Sequence, residues 1–392
     1  MTTADPSPPE LSNVAPQTPE PKHDDLAEHQ LRLGRVPSLI KQLLKIENVY
    51  IRLINAEGKW IRSENDVTVV ENRNGMKICD FTLASDEVVQ ISNADLDSRI
   101  LDGTIHNDMP ELKSYIGHSL ETKGGTHIGV LAAWGTEPRI FSAQDVEVLN
   151  DMVFWLQRQI LNTQELNRAS NVQRDMLPKG DIAISGYEMA GFCNPHLSVG
   201  GDFYDWLETF DGLAFTLADV MGKGIGAAIM AATVRATMRA ASWNQGAEQA
   251  MNIASEVLEP DLHKAGLFVT LIHGQLDIFR NQVRYIDAGH GLSTHVTKDK
   301  KITHLTTSNY PIGTGQNGEW QILNIEMAHG DTLILISDGM LDVFDSARSM
   351  RRGLADIAVA ANSAQEIIDK FKEIASSAKA TDDVSALILR RS

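Results

Sequence analysis

Five short segments of this 392-residue chain hold the residues most capable of chemistry. They are Val199-Gly200-Gly201-Asp202-Phe203-Tyr204-Asp205-Trp206, Ala218-Asp219-Val220-Met221-Gly222-Lys223-Gly224, Asp287-Ala288-Gly289-His290, Ile336-Ser337-Asp338-Gly339 and Thr381-Asp382-Asp383. Each reads as a short turn with an acid or a histidine, and most follow an apolar run. Strands that end in acids followed by glycine or another small residue set carboxylates along one rim of a sheet. Asp202, Asp219, Asp338 and the Asp382-Asp383 pair are the candidates. One such acid alone is an ordinary turn or cap residue. Taken together, they form the oxygen-rich donor set of a hard cation. Cysteine ligands are absent and no two histidines have zinc spacing, so the set suits Mg²⁺ or Mn²⁺.

The composition bounds the rest. The length favours two domains, and an apolar fraction of 43% supplies buried cores. The 52 acidic and 35 basic residues leave a net charge of −17. That balance argues against nucleic acid or an anionic membrane as partner, since both need clustered cations. Cys79 and Cys193 are too few and too isolated for a disulfide framework or a zinc knuckle. They read as small buried residues in a reducing compartment. No apolar run reaches the ~20 residues of a membrane span. The N-terminus lacks the basic and apolar regions of a signal peptide, and the expected location is the cytoplasm.

Several elements must position the acids. Residues 1–25 hold six of the 13 prolines and read as a disordered tail. Apolar residues at three- and four-residue spacing between Leu26 and Leu44 predict a helix that Pro37 interrupts. Strand-like runs follow at Val49–Ile54, Val67–Val70, Met76–Leu83 and Val88–Ile91, with turn chemistry at Asn55-Ala56-Glu57-Gly58. Tyr115–Leu120 and Ile128–Trp134 read as strands joined through Lys123-Gly124-Gly125. Ser142, three residues before Asp145, forms a helix N-terminal box.

This order, with Asp95-Leu96-Asp97-Ser98-Arg99, Tyr115-Ile116-Gly117-His118-Ser119-Leu120, Gly129-Val130-Leu131-Ala132-Ala133-Trp134 and Phe141-Ser142-Ala143-Gln144-Asp145, resembles a GAF domain. The resemblance covers about residues 28–163 and sets a sensory domain at 26–163. It implies a six-stranded antiparallel sheet with flanking helices, and either a small-molecule ligand or dimerisation. No residue names the ligand. Cys79, in an apolar strand, reads as structural rather than as a chromophore link. His106, His118 and His127 are candidates to line a pocket, although local hydrogen bonds satisfy most lone histidines.

The helix opened by Ser142 continues to Pro178, a connector over 142–178. Its apolar stripe runs through Leu156, Ile160, Leu161, Leu166, Ala169, Val172, Met176 and Leu177. Such a seam packs on one domain or pairs two subunits; its place between domains favours a homodimer. Beyond it, strands are expected at Glu188–Cys193, Leu213–Ala218, Phe268–Asp277, Gln282–Asp287, Thr332–Ile336 and Val384–Leu389. Helices are expected at Ile225–Ala241, Ala247–Leu258, Ser349–Asn362 and Ala364–Ser377. The first of these helices directly follows the Asp219 segment and is a candidate switch, with Arg235 and Arg239 on its exposed side.

As an ordered set, the five acidic motifs resemble the metal-dependent PPM-type Ser/Thr protein phosphatases of the SpoIIE/RsbU class, over about 180–392. The resemblance implies an α+β fold, with two packed antiparallel sheets, helices outside, and two Mn²⁺ or Mg²⁺ ions in a cleft at one end. Asp219 would bridge the ions and the Val220 carbonyl would add a ligand. Asp338 and one of Asp382 or Asp383 would hold the second ion, and Asp202 would act directly or through water. Asp202, Asp219 and Asp338 are thus the catalytic acids. Water would attack phosphorus in line, with no phospho-enzyme. His290 would assist the leaving oxygen or hold the turn. The chain departs from the commonest pattern at Val220, where glycine is frequent, and at Gly291-Leu292, where many members have a proline nearby. Lys223 is the only basic residue inside a motif, so docking of a protein substrate must supply binding energy. The implied substrate is a phosphorylated STAS-type antagonist of partner switching. The competing reading is a sensory scaffold or ligand-binding module with a degenerate, inactive phosphatase domain; the complete acid set argues against it.

Overall fold

The computed structural model describes residues 35–54, 60–63, 77–105, 109, 111–306, 309–316, 318–377 and 380–392. The chain forms two compact units, divided between Glu165 and Leu166. The expected strand Val67–Val70, the turn at 55–58 and His106 lie outside the described residues.

In the first unit, α1 (Arg35–Leu44) precedes β1 (Asn48–Ile54) and β2 (Trp60–Ser63). Then come α2 (Lys77–Leu83), β3 (Val89–Ile91), α3 (Ser98–Leu101), β4 (Ser114–Glu121), β5 (His127–Gly135) and the start of α4 (Ala143–Met176). Among the described residues the sheet has five strands in the order β2-β1-β5-β4-β3, all antiparallel. Alternation assigns its faces. Ile51, Ile116, Leu131 and Ala133 meet Val36, Ile40 and Leu44 of α1 and Leu149, Val153 and Leu156 of α4. Tyr50, Tyr115, Val130 and Ala132 meet Ile78 and Cys79 on the opposite face.

Two expectations need correction here. Residues 35–44 are helical with Pro37 the third of the described helix, so Pro37 does not break that stretch; the expected tail 1–25 and the 26–34 part of the helix lie outside the described residues. Met76–Leu83 is not a strand; residues 77–83 are helical, and Ile78, Cys79 and Thr82 bury one side of the turn. A short apolar run carries too little periodicity to separate the two. Cys79 is therefore a buried helical residue, bonded through Sγ to the Tyr50 hydroxyl at 3.2 Å.

The second unit is a sandwich. Its strands are β6 (Asp181–Ile184), β7 (Tyr187–Asn194), β8 (Asp202–Thr209), β9 (Gly212–Val220), β10 (Val269–Asp277), β11 (Gln282–Ala288), β12 (Thr294–Val296), β13 (Ile302–His304), β14 (Leu323–Glu326), β15 (Thr332–Ile336) and β16 (Val384–Arg391). One sheet has the order β14-β11-β10-β9-β8 and the other β13-β12-β15-β16-β7-β6. All their ladders are antiparallel. Met189, Tyr204, Phe215, Leu217, Ile272, Leu335 and Leu387 fill the space between the sheets. Helices α5 (Ile225–Ala241) and α6 (Ala247–Ala265) cover the first sheet through Val234, Met238 and Leu258. Helices α7 (Ala347–Ala360) and α8 (Ala364–Ser377) cover the second through Leu354, Ile367 and Phe371. A 3-10 helix, Asp338–Val343, links β15 to α7. Strands β12, β13 and β14 have three or four residues each, too short for a visible period.

The box at the start of α4 forms as its spacing predicts. The Ser142 N–H and hydroxyl both donate to Asp145 Oδ2, at 2.8 and 2.9 Å, and the Asp145 N–H donates to Ser142 Oγ at 3.2 Å. Ser142→Ala is expected to cost about 1 kcal/mol of unfolding free energy in urea titrations. A loss below about 0.3 kcal/mol would mean that water replaces the cap without penalty.

Candidate metal centre

Strands β8 and β9 form a hairpin whose register sets Asp202 directly opposite Asp219. Asp202 is therefore the first residue of a strand and Asp219 the penultimate residue of another, rather than parts of free turns. Asp202 is 3% exposed, and its Oδ2 has no hydrogen-bond partner. Burial, with the charge of Asp219, pushes its carboxyl far above the usual carboxylate range. Burial also pushes Asp219 up to about 6, reinforced by Asp338, Asp382 and Asp383. Asp338 is raised by burial and then by Asp382.

Asp219, Asp338 and Asp382 share one cavity of about 330 Å³. Met221, Lys223, Thr270, His290 and Leu292 complete much of its wall. The structure thus brings together three of the expected acids, from the end of β9, the start of the 3-10 helix and the 381–383 turn. Asp202 stands behind them on the hairpin. Val220 is buried at the strand end, and its N–H donates to the Gly201 carbonyl at 3.3 Å.

Asp383 does something different from Asp382. Its Oδ1 accepts from the His196 N–H at 2.7 Å, and its Oδ2 accepts from the Gly201 and Asp202 N–H groups at 2.7 and 3.4 Å. It clamps the loop that delivers Asp202. Gly200 passes so close to this carboxylate that a Cβ there would collide with Oδ2. Gly339 lies as close to the Asp383 carbonyl, which lets the Asp338 turn nest against the 381–383 turn. Ser337 Oγ bridges the same turns, donating to the Asp383 carbonyl at 3.2 Å and accepting from the Ser385 N–H at 2.8 Å. Asp342 accepts from the Thr381 N–H and hydroxyl at 2.9 and 2.6 Å. Lys223 donates to the Thr381 carbonyl at 2.6 Å and pairs with Asp382 Oδ2 at 3.0 Å.

His290 is 8% exposed and donates its Nε2–H to the Ile336 carbonyl at 2.7 Å, just before Asp338. Its own N–H and that of Gly291 are held by Asp287. Burial keeps the imidazole below its ordinary pKa, so it is a neutral tether between two loops. In the first unit, His118 Nδ1 bonds the Ser119 carbonyl at 2.9 Å, and His127 Nδ1 lies 3.7 Å from Glu121.

Two features escaped the sequence reading. Gln173 of α4 makes a two-way amide contact with Gly200: its Nε2 donates to the carbonyl at 2.7 Å and its Oε1 accepts from the N–H at 3.1 Å. A single glutamine in a helix gives no sequence signal for this. Arg235 and Arg239 are also not free on the outside of α5. Both reach the buried Asp205 Oδ1, at 3.3 and 2.6 Å, and the Arg235 side chain is only 16% exposed. The Gly-Asp-Phe-Tyr-Asp spacing carries the hint, since an acid three residues after Asp202 on a buried strand needs a cation.

The donor set fits a hard divalent ion. Three carboxylates line the cavity, and the orphaned Oδ2 of Asp202 behind them is an acceptor that a cation or a proton satisfies.

Residues 210–392 match the Stage II sporulation protein E (SpoIIE) family. The chain is 23% identical over 180 residues to phosphoserine phosphatase RsbU of Bacillus subtilis, covering 45% of this chain and 53% of that protein. It is 25% identical over 245 residues to Protein IcfG of Synechocystis sp., covering 54% of this chain and 38% of that protein. It therefore spans about half or less of the length of these relatives. Among solved structures, the SiaA-PP2C domain of Pseudomonas aeruginosa overlays with a TM-score of 0.52 at 22% identity, over 59% of this chain and 98% of that one, a likeness of fold.

The raised Asp219 carboxyl has a measurable consequence in metal-free protein. The native state holds its proton to a higher pH than the unfolded state, so stability falls as pH rises through the window from 3.8 to about 6. Asp219→Asn mimics the protonated form. In EDTA it is expected to stabilise the protein by up to about 3 kcal/mol at pH 7.5 and to change little at pH 4. Equal effects at the two pH values in denaturant titrations would contradict the assigned cause.

Proposed function

We propose, proceeding from the SpoIIE-family domain that residues 210–392 form, that this protein is a metal-dependent serine/threonine phosphoprotein phosphatase. The observation that carries this reading is the convergence of Asp219, Asp338 and Asp382 on one cavity, with Asp202 paired behind Asp219. Asp219, Asp338 and Asp382, with the Val220 carbonyl and Asp202, would hold two Mn²⁺ or Mg²⁺ ions. Bound there, such ions supply Lewis acidity toward water and toward the phosphoryl oxygens. The chain does the rest. Asp383 fixes the loop before Asp202 and is not needed as a ligand. Lys223 steadies Asp382, and His290 ties the 287–291 turn to the strand that delivers Asp338. Its Nε2–H bond to the Ile336 carbonyl gives His290 a positioning role.

The substrate is a phosphoprotein, and the similarity to a phosphoserine phosphatase supports a phosphorylated STAS-type antagonist. The catalytic part is taken as 180–392, the sensory GAF-like part as 26–163 with a small-molecule ligand or signal, the connector as 142–178 and the tail as 1–25. Leu39 and Leu43 of α1 and Phe154 and Trp155 of α4 expose large apolar side chains, which supports a homodimer through these helices. Gln173, near the end of α4, grips Gly200, so a twist of this helix would be felt at the loop before Asp202.

Hydrolysis of para-nitrophenyl phosphate and of a phospho-STAS protein tests the reading. Activity with Mn²⁺ is expected to vanish in EDTA and to drop at least about 100-fold in Asp219→Ala. Asp382→Asn should lose activity and metal affinity while keeping its thermal stability. Asp383→Asn should lose stability as well, since its carboxylate accepts three backbone N–H groups. Equal activity with Mn²⁺, with EDTA and in Asp219→Ala would rule out the metal mechanism. The dimer is tested separately by light scattering on the whole chain. A mass of twice the chain is expected, falling to the monomer value in Phe154→Asp/Trp155→Asp; a monomeric wild type removes the dimer.

A further inference from the structure

The cleft wall offers little to attract an anionic protein. It carries three carboxylates, and its only lysine is already paired with one of them. The chain as a whole is strongly acidic. One face nevertheless runs the other way. Arg348, Arg351 and Arg352 follow one another on α7 at i, i+3 and i+4, which sets them on one side of the helix. Arg348 and Arg352 are exposed and Arg351 is half-buried. Among the described residues no carboxylate lies within ion-pair distance of any of the three. The nearest acid further along α7, Asp356, is paired with Lys300 of the β12–β13 turn.

This arrangement costs the helix stability. Like charges four residues apart repel. The first turn of α7 holds no acid, so Arg348 faces the positive end of the helix dipole uncompensated. The neighbouring Lys300 and Lys301 have a simpler explanation, because β13 is a sheet edge and lysines there discourage strand addition. That explanation does not reach three arginines on a helix.

Helix α7 is also linked to elements of the cleft. Helix α7 follows the 3-10 helix that begins at Asp338, and the Phe344 ring packs on Gly353 in its middle. His304 lies under the charges of both Arg351 and Asp287, and Asp287 holds the turn whose His290 lines the cavity.

We propose that Arg348, Arg351 and Arg352 form a docking face for the acidic flank of the phosphoprotein whose phosphoserine enters the cleft. This rests on the phosphatase reading, and it names the substrate class as an acidic protein segment. Arginine forks suit carboxylates, and an exposed, unpaired set gains most from a partner that supplies them.

The test uses the whole chain and two fluorescent peptides of equal length around one serine, one flanked by Asp and Glu and the other by Asn and Gln. Anisotropy is read at low and high salt for wild type and for R348E/R351E/R352E, with para-nitrophenyl phosphate turnover in Mn²⁺ measured alongside. Wild type is expected to bind the acidic peptide about tenfold more tightly, with the preference shrinking as salt rises. The triple variant should lose the preference and keep para-nitrophenyl phosphate turnover within about twofold. Should the reversal not fold, Arg348→Gln with Arg352→Gln should weaken the preference in the same direction. Equal affinity for the two peptides in wild type, or a preference retained in the variants, overturns the docking face. Loss of para-nitrophenyl phosphate turnover in wild type with the peptide preference intact would instead overturn the phosphatase reading and leave the acidic docking face standing.

Discussion

Three carboxylates line one cavity and a fourth is paired behind them, all of like charge, and much of the second unit is arranged around that constraint. Asp202 and Asp219 face each other across a hairpin, and Asp338 and Asp382 enter from the 3-10 helix and the 381–383 turn. Burial and mutual charge raise three of the four above the ordinary carboxylate range. Metal-free, this cluster destabilises the fold that contains it. The framework therefore has to hold these carboxylates against that cost.

The framework is made of backbone, held by a few polar side chains. Asp383 collects three N–H groups from the 196–202 loop, Ser337 bridges two turns, and Asp342 and His290 tie the remaining ends. A buried carboxyl that loses these backbone N–H partners is costly, so Asp383 is a main fastener of the loop. Asp382 lines the cavity, whereas Asp383, the residue before β16, turns its carboxylate to the 196–202 loop. The inter-sheet core of Tyr204, Phe215, Leu217 and Leu335 gives these loops a rigid base.

Much of this was legible in the residue order. Acids next to glycines, after apolar runs, marked Asp202, Asp219, Asp338 and the 382–383 pair, and of these Asp219, Asp338 and Asp382 line one cavity. Most long strands of the second unit stand out as apolar runs, and its four outer helices by their period; β8 does not, because the Gly-Asp-Phe-Tyr-Asp segment at its start reads as a turn. Nor do the short elements. β12, β13 and β14 span less than two full alternations, and residues 77–83 carry an apolar run that serves a helix or a strand equally well. Arg235 and Arg239 looked like solvent residues because their partner, Asp205, lies 30 or more positions away.

By itself, the sequence determined the carboxylates of the acidic motifs and the runs that become most strands and all four outer helices of the second unit, while the two-sheet sandwich was what the family resemblance implied. It also determined the position of the cap at Ser142, because that bond is local. Only the tertiary structure decided which of Asp382 and Asp383 meets the cavity, that His290 spends its proton on a carbonyl, and that Gln173 grips Gly200. Those outcomes depend on which backbone groups lie within about 3 Å after distant segments pack. Local pattern sets a side chain's type and its face on an element, whereas its partner is set by the closure of loops that no short window of sequence contains.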